Sequence, residues 1–256
     1  MEPKELSLQE HFTFVKQIGQ GGYGTIWIVD DAVTGKRLAL KEISKATTNR
    51  TEFKRELWIS KYLSKHPNII NTHSAYETNT SYFAVQDYAL GGDLFDVIEQ
   101  NAGLKESTTK LYLGQICRAV EFMHSKNLVH RDIKPENIVL TDRIGSVAQL
   151  IDFGLTLGAG TNIKAVAGTV SYLAPEICCP PTTAGFIVDP SSDVWSVGIL
   201  LFCMLTGGYP WEQATLSDPD YYSRSACTVQ EDACHGFSRE VYITEAYKYL
   251  NCSWFN

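Results

Sequence analysis

Apolar side chains alternate in the first third of the chain, as they do in half-buried strands. Alternation over Phe12–Ile18 and apolar runs at Trp27–Val29 and Leu38–Ile43 predict three successive strands. Residues Arg50–Leu63 show helical spacing, and Tyr82–Leu90 predicts another strand that ends at paired glycines. The first part of the chain therefore predicts a small antiparallel sheet accompanied by one helix.

The later part of the chain is dominated by helical patterns. Thr108–Ser125 carries a broad apolar face, and Val197–Leu205 is apolar enough to lie at the centre of a helical core. Short apolar runs at Asn127–Val129, Ile138–Leu140 and Ala148–Gly154 predict short strands between the two helices. The combined pattern predicts an α+β protein with a mainly helical second half.

Composition excludes several classes of protein. The chain has 256 residues, with 29 acidic and 22 basic side chains and a formal net charge of −7, which disfavours nucleic acid as a partner. No apolar run has the length of a membrane span, and the polar N-terminus lacks a signal-peptide core. Seven scattered cysteines without a C-x-x-C pair favour reduced thiols. We expect a cytoplasmic protein that binds neither membrane nor nucleic acid.

The polar segment between the two short strands at Asn127–Val129 and Ile138–Leu140 contains the strongest candidate chemistry. A loop held at both ends by packed strands presents its side chains from a rigid scaffold. Asp132 could accept a hydroxyl proton, Lys134 could neutralise a phosphoryl oxygen, and Asn137 could bind a hard cation through its carbonyl oxygen. The alternative is a polar turn in an α/β protein.

This segment, His130 to Asn137, resembles the catalytic loop H-R-D-x-x-x-x-N of the eukaryotic protein kinases, with every defined position filled. The lysine two residues after Asp132, together with Thr169, resembles the serine/threonine branch of that family. The resemblance implies that Asp132, Lys134 and Asn137 are catalytic residues.

A glycine-rich segment follows the first predicted strand. Glycines let a backbone approach a phosphate closely, although G-x-G-x-x-G alone also fits a dinucleotide site. Here a strand, not a helix, follows the glycines, which disfavours the Rossmann interpretation. The segment resembles the kinase loop that covers the ATP phosphates. The resemblance assigns these residues to ATP: Ile18, Gly19, Gln20, Gly21, Gly22, Tyr23, Gly24 and Ile26.

Lys41 lies inside an apolar run, where a lysine needs an acidic partner. Glu56 falls among the apolar positions of the predicted helix. Taken separately, the two read as a strand-edge lysine and a solvated glutamate. The resemblance instead assigns Lys41 to the α- and β-phosphates and Glu56 to the ion pair that holds it.

The strand that ends at the paired glycines resembles the hinge between kinase lobes. Its Gln-Asp-Tyr order at Gln86 resembles the SH3-binding-domain kinases. The resemblance assigns Asp87 and Ala89 to adenine and Asp93 to ribose, although Asp93 is also a natural helix N-cap. Ala39 and Val139 complete the expected nucleotide contacts.

Asp152-Phe153-Gly154 follows a predicted strand, and an aspartate at a strand end can hold Mg²⁺. An Asp-x-Gly tripeptide is usually only a turn. Beside the other motifs, it resembles the metal-binding motif of the kinases. The resemblance implies ATP and Mg²⁺ as cofactors, with Asn137 and Asp152 as metal ligands and Asp152 also contacting ATP.

The resemblance implies a bilobal protein-kinase fold over residues 12–256. It comprises an antiparallel-sheet N-lobe at 12–86 with the αC helix of the family, a hinge at 87–92 and a helical C-lobe at 93–256. The implied function is transfer of the ATP γ-phosphoryl group to a protein Ser/Thr hydroxyl. By family analogy alone, SH3-domain proteins are expected as partners.

The resemblance weakens after about Trp211. Glu212–Phe237 has turn-like composition and little helical periodicity, whereas Ile243–Phe255 again resembles the last kinase helix, with Arg239 expected to pair with Glu176. This pattern predicts a C-lobe that lacks its distal helices. It leaves a non-catalytic, kinase-like scaffold or binding protein as the alternative function. Ser60 replaces an apolar residue that usually stacks in the αC helix.

Overall fold

The structure, a computed structural model, describes residues 4–5, 8–21, 24–178 and 185–226. These residues form two compact units. The first unit contains the described residues up to Gly91 together with Leu140–Gly154. The second unit contains Gly92–Val139 and the described residues from Leu155 onward.

The first unit is built on a twisted sheet with one long helix. Its elements in chain order are β1 (Lys4–Glu5), α1 (Leu8–His11), β2 (Phe12–Gly21), β3 (Gly24–Asp31), β4 (Arg37–Ser44), α2 (Arg50–Leu63), β5 (Thr72–Glu77) and β6 (Ser81–Asp87). The strand order is β1-β5-β6-β4-β3-β2, in which β1 pairs in parallel with β5 and the other neighbours are antiparallel.

Alternating side chains give the sheet its buried face, as the sequence predicts. Because successive side chains of a strand point to opposite faces, Leu38 and Leu40 on β4 both enter the core. They pack with Phe12, Val29 and Val85 in one apolar cluster. The same alternation fixes the register of β4 and therefore the direction in which its remaining side chains point.

Helix α2 begins at a reciprocal cap and packs on the sheet. The Asn49 side chain accepts from the Glu52 N–H at 3.0 Å, and the Glu52 carboxylate accepts from the Asn49 N–H at 3.2 Å. Phe53 on the buried face stacks on Tyr82 of β6, with ring centroids 4.6 Å apart. This packing, together with Leu57, holds the helix against the sheet.

The second unit is mainly helical. Its elements in chain order are α3 (Leu94–Asn101), α4 (Glu106–His124), β7 (Leu128–Val129), β8 (Ile138–Leu140), β10 (Leu157–Gly158), β11 (Asn162–Ile163), α5 (Pro175–Cys178), β12 (Phe186–Ile187), α6 (Ser191–Thr206) and α7 (Pro219–Ala226). The division between the units falls within β8, and strand β9 (Ala148–Leu150) belongs to the first unit.

Helices α4 and α6 pack against each other and form the core of the second unit. Apolar residues such as Leu113, Ile116 and Leu200 are fully buried there. Helix α6 ends at Thr206, and the next residue, Gly207, caps it. The φ of Gly207, 75°, is in the left-handed region that glycine adopts without strain. The broad apolar faces predicted from the sequence are therefore used for helix packing.

Helix α7 corrects one prediction. We expected the residues between Glu212 and Phe237 to be loop-like, but Pro219–Ala226 is helical. The carboxylate of Asp218 caps this helix by accepting from the N–H groups of Asp220 and Tyr221, both at 3.0 Å. The turn-forming residues that suggested a loop are in fact the start signal of a helix.

The remaining predictions for the end of the chain lie outside the described residues. These are the loop over 227–237, the helix at Ile243–Phe255, the pairing of Arg239 and the loss of distal helices. Within the described ranges, no helix combines the length and apolar character needed to cross a membrane. Cys117 and Cys203 are buried thiols.

The observed architecture confirms the α+β prediction. One unit is an antiparallel sheet with a packed helix, and the other is mainly helical, as the kinase resemblance implies. Element bounds agree most closely at Arg50–Leu63, where prediction and structure coincide. Strand β9 is shorter than expected, because it ends at Leu150 and leaves residues 151–154 as irregular backbone.

Candidate active site

The first unit brings together three of the predicted residues. Strand β4 buries Lys41, and helix α2 presents Glu56 toward it. The Lys41 Nζ lies 2.8 Å from Glu56 Oε1 and 3.1 Å from Asp152 Oδ1. The structure therefore forms the Lys41–Glu56 ion pair expected from the sequence and adds Asp152 to it.

The charge balance of this cluster keeps Lys41 protonated. Burial by itself lowers the pKa of an amine, because the charged form loses its hydration. The carboxylates of Glu56 and Asp152 outweigh this effect and raise the pKa of Lys41 above its ordinary value. A permanently cationic amine in a buried site is suited to binding anionic groups such as phosphates.

The segment Asp152–Gly154 is held in a tight conformation beside this cluster. Asp152 has a φ of 61°, and its Oδ1 accepts from the Gly154 N–H at 3.2 Å. The Arg55 guanidinium of α2 donates to the Gly154 carbonyl at 2.9 Å. A Cβ at Gly154 would lie 3.3 Å from Asp152 Oδ1 and 3.4 Å from Glu56 Oε2. Glycine therefore allows the carboxylates to gather around Lys41.

The second unit forms a second polar cluster around Asp132. This carboxylate is buried, and its Oδ2 lies 2.9 Å from Lys134 Nζ and 2.8 Å from Asn137 Nδ2. The same Asn137 nitrogen also donates to the Asp132 carbonyl at 2.8 Å. The three residues predicted to be catalytic in this loop therefore lie in direct contact.

Thr169 completes the cluster around Asp132. Its hydroxyl accepts from Lys134 Nζ at 2.8 Å and donates to Asp132 Oδ1 at 3.2 Å, while its N–H also donates to Oδ1 at 3.2 Å. In the sequence, Thr169 only resembles the threonine of the serine/threonine branch. Its contact with Asp132 joins positions far apart in sequence, which local patterns do not reveal.

The backbone of the catalytic loop is fixed by a buried carboxylate on α6. Asp193 accepts from the N–H groups of His130 and Arg131, each at 2.8 Å. His124 Nε2 of α4 lies 2.8 Å from the same carboxylate. Arg131, with a φ of 71°, is held in a strained conformation by these bonds. Asp193 thus supports the loop and stands apart from its reactive groups.

The glycine-rich segment lies on the β2–β3 hairpin. Strand β2 contains Gly19 and Gln20 and the exposed Ile18, while β3 contains Ile26. Gly21 pairs with Gly24 at the end of the hairpin. The intervening Gly22 and Tyr23, both predicted to bind ATP, lie outside the described residues. The hairpin is the strand–glycine–strand arrangement expected from the sequence.

The first-unit residues assigned to adenine lie on neighbouring strands or follow them. Ala39 of β4 pairs with Gln86 of β6, and Ala89 follows shortly after β6. Asp87, at the end of β6, bonds to Lys36 Nζ at 2.6 Å and to His73 Nε2 at 2.8 Å. These two partners outweigh the effect of burial and lower the pKa of Asp87.

Asp93 and Val139 belong to the second unit and form a β-bridge with each other. The Asp93 side chain caps α3 by accepting from the Asp96 N–H at 2.9 Å. Partial burial raises the pKa of Asp93. Asp93 is therefore the N-cap of α3, as one of its two interpretations predicted. Its expected contact with ribose stays a prediction.

A further group of hydrogen-bonded polar side chains in the first unit was not predicted from the sequence. Ser60, Thr72 and Gln86 join α2, β5 and β6 through hydrogen bonds. The sequence shows Ser60 only as a polar residue at a position that is usually apolar in the family. The other sequence feature that could have indicated these contacts is the polar residue Thr72, which follows the apolar pair Ile69–Ile70.

The chain is similar to proteins of known family over most of its length. A family model described as "Protein kinase domain" matches residues 12–240. Serine/threonine-protein kinase SBK1 of Danio rerio is 45% identical over 219 residues, which cover 85% of this chain and 57% of that protein. SBK1 of Mus musculus is 44% identical over 210 residues, covering 82% and 50% respectively.

Serine/threonine-protein kinase SBK2 of Rattus norvegicus is 35% identical over 208 residues, which cover 80% of this chain and 58% of that protein. The chain thus spans little more than half the length of these relatives. The match includes both polar clusters, around Lys41 in the first unit and around Asp132 in the second.

Proposed function

Since the chain belongs to the protein kinase domain family, we propose that it transfers the γ-phosphoryl group of Mg-ATP to a serine or threonine hydroxyl of a protein. The observation that carries this proposal is the direct contact among Asp132, Lys134 and Asn137. The family membership and the similarity to SBK kinases agree with the motif resemblance.

Asp132 is suited to orient and deprotonate the acceptor hydroxyl. A general base must lie within hydrogen-bond reach of the proton that it accepts, and its own orientation must be fixed. The bonds from Asn137 and Thr169 fix the carboxylate of Asp132. Lys134 places a positive charge 2.9 Å from that carboxylate, where it can stabilise a phosphoryl oxygen during transfer.

Lys41 is suited to hold the α- and β-phosphates. Its amine stays charged because Glu56 and Asp152 flank it, and Glu56 fixes its position from the helix side. Phosphoryl transfer depends mainly on positioning and electrostatic stabilisation, so a rigid cation contributes directly to the rate. Among the residues that the structure describes, the further proposed contacts of the nucleotide are Ile18–Gly21, Gly24, Ile26, Ala39, Asp87, Ala89, Asp93 and Val139.

Asn137 and Asp152 fit a magnesium ion by their chemistry. Mg²⁺ prefers oxygen ligands and is commonly bound by one or two protein groups together with substrate phosphates. Because Nδ2 of Asn137 donates two hydrogen bonds, its carbonyl oxygen is the atom left for a cation. Bound Mg²⁺ would neutralise phosphate charge.

We also propose a cellular compartment, binding partners and domain bounds for this enzyme. We place it in the cytoplasm, with ATP and a Ser/Thr-containing protein as its binding partners and SH3-domain proteins as further partners. All of the motif positions that the transfer chemistry requires are filled, which favours an enzyme over a non-catalytic scaffold. The domain is proposed to extend over residues 12–256, with the hinge at 87–92.

Transfer of labelled phosphate from ATP to a generic protein substrate tests this function. We expect Asp132→Asn to lower the rate about 10²-fold or more, because the amide cannot accept the hydroxyl proton. Asp220→Asn, the same chemical change on the exposed start of α7, is the matched control and should retain the wild-type rate. Equal rates for the wild type and Asp132→Asn would refute the proposal.

A further inference from the structure

Three polar side chains form a continuous hydrogen-bonded chain inside the first unit. Ser60 Oγ of α2 lies 2.5 Å from Thr72 Oγ1 of β5, and Gln86 Nε2 of β6 donates to the same Thr72 oxygen at 3.1 Å. Ser60 and Thr72 are only 4% and 5% exposed. Hydrogen bonds between buried hydroxyls depend on distance and angle, so a small displacement of either element weakens them.

The polar contacts continue along the second half of α2. Ser64 Oγ accepts from the Thr72 N–H at 3.0 Å and donates to the Ser60 carbonyl at 2.7 Å. Lys61 Nζ donates to the His73 carbonyl at 2.6 Å. The first half of the helix packs through the apolar side chain of Phe53 and is joined to β5 by the Arg50–Glu77 ion pair at 2.7 Å. The hydrogen bonds of the second half therefore help to set the position of α2 along β5.

Ser60 stands four residues after Glu56, so the two side chains lie on the same side of α2, one turn apart. A shift of the helix along its axis that breaks the Ser60–Thr72 contact would also move Glu56. The Glu56–Lys41 contact of 2.8 Å leaves little room for such a shift. The hydroxyl contact and the ion pair consequently depend on one helix position.

We propose that Ser60, Thr72 and Gln86 form a positioning network that holds α2 in the place where Glu56 meets Lys41. Its effect on phosphoryl transfer rests on the proposed kinase function, whereas its effect on α2 does not. Gln86 anchors the network to β6, the strand that leads into the proposed hinge. The three residues contact neither ATP nor substrate in this role and act through Glu56.

Thr72→Val tests the network most directly. It preserves the shape of the side chain and removes the hydroxyl that bonds to both Ser60 and Gln86. We expect kcat to fall about tenfold, because the helix then occupies its competent position in a smaller fraction of molecules. Thr72→Ser, which keeps the hydroxyl, should retain at least half of the wild-type kcat. Ser60→Ala, which removes one bond, should show an intermediate loss.

Ser81→Ala is the matched control. Ser81 is also buried on β6, and its hydroxyl donates to Glu42 Oε1 of β4 at 2.9 Å, a bond that includes no residue of α2. The loss of that bond should change kcat less than about twofold, although it removes a buried hydroxyl of the same kind. An equal loss of kcat in Ser81→Ala and Ser60→Ala would show a general stability effect and would overturn the proposal.

A double-mutant cycle tests whether the network acts through Glu56. Thr72→Val should lower kcat about tenfold in the wild-type background and less than about twofold in a Glu56→Gln background, because the ion pair is already lost there. A tenfold loss in both backgrounds, or no loss in the wild-type background, would overturn the proposal.

Hydrogen exchange of the α2 amides gives a readout independent of catalysis. In Thr72→Val we expect exchange over residues 50–63 to accelerate at least about fivefold, with β3 unchanged, and Ser81→Ala to leave α2 at the wild-type rate. If the wild-type chain transfers no phosphate, the kinase proposal fails, and the exchange experiment alone then tests whether the network positions α2. Unchanged α2 exchange in Thr72→Val would overturn the network proposal.

Discussion

Individual buried charges in this protein are stable because each has several fixed partners. Lys41 lies between Glu56 and Asp152, and its raised pKa means that the folded state favours the protonated amine. That contribution to stability is complete below the unfolded pKa of lysine and is lost only as the pH rises through the folded value. The Lys41 amine therefore keeps its positive charge in the pH range of an ordinary kinase assay.

Asp193 offers a stability prediction at the same scale. This fully buried carboxylate accepts from two backbone N–H groups and lies against His124. Asp193→Ala would leave these groups without their acceptor, so we expect the free energy of unfolding to fall by about 3 kcal/mol. Urea denaturation followed by circular dichroism measures the change.

Asp189→Ala is the control for this prediction. Asp189 lies just before α6 and accepts from the Ser191 N–H at 2.8 Å, but it is exposed. Its removal should cost about 1 kcal/mol or less, as expected for a helix-terminal hydrogen bond. If the two variants lose equal amounts of stability, Asp193 does not have the supporting role described here.

At the scale of elements, capping side chains decide where helices begin. Helix α2 was predictable because Asn49 and Glu52 form a capping box before an amphipathic run. Helix α7 was not predicted, since Asp218 and Pro219 were read as turn residues. The Asp218 carboxylate also accepts from the N–H groups of Glu212 and Gln213, each at 3.0 Å, and so organises the loop before the helix as well.

Asp218→Ala should therefore unravel α7 selectively. The substitution removes the acceptor for Asp220 and Tyr221 at the first turn, and a helix of eight residues has little intrinsic stability to replace it. We expect faster amide exchange over residues 219–226 and unchanged exchange in α6. Asp218→Asn, which retains an acceptor oxygen, should preserve most of the protection; uniform protection in all three proteins would contradict this account.

The limits of sequence-based prediction follow from the range of the contacts. Periodicity and caps are local, so strands β2, β3, β4 and β6 and helices α2, α4 and α6 could be predicted from them, whereas β1 and β5 were not. The site motifs were recognisable because their residues occur at fixed short spacing. The contacts of Thr169 with Asp132 and of Thr72 with Ser60 and Gln86 join separate elements, and one sequence holds no direct signal for them.

At the scale of the whole molecule, the residues proposed for phosphoryl transfer belong to two compact units. The first supplies Lys41, Glu56 and Asp152, and the second supplies Asp132 and Asn137. The residues of each cluster are bonded to one another within their own unit. A nucleotide that binds the folded chain should stabilise it against unfolding.

Thermal unfolding in the presence of ATP tests whether the chain binds the nucleotide together with Mg²⁺. At a hundredfold excess over the dissociation constant, a ligand specific for the folded state adds about 2.7 kcal/mol, which corresponds to several degrees in Tm. We expect a larger Tm shift with Mg²⁺ than with EDTA in the wild type. Asp152→Asn should remove the difference between the two conditions, whereas Asp220→Asn should retain it. Identical shifts with and without Mg²⁺ in the wild type would contradict the proposed metal site.

The central claim is that this chain is a serine/threonine kinase, and the phosphoamino acid formed on a protein substrate tests it most directly. The 256-residue chain is incubated with γ-labelled ATP, Mg²⁺ and a mixed protein substrate, and the labelled substrate is then hydrolysed. We predict labelled phosphoserine and phosphothreonine from the wild type and almost none from Asp132→Asn. Absence of label with the wild type, or the same label with both proteins, would contradict the account.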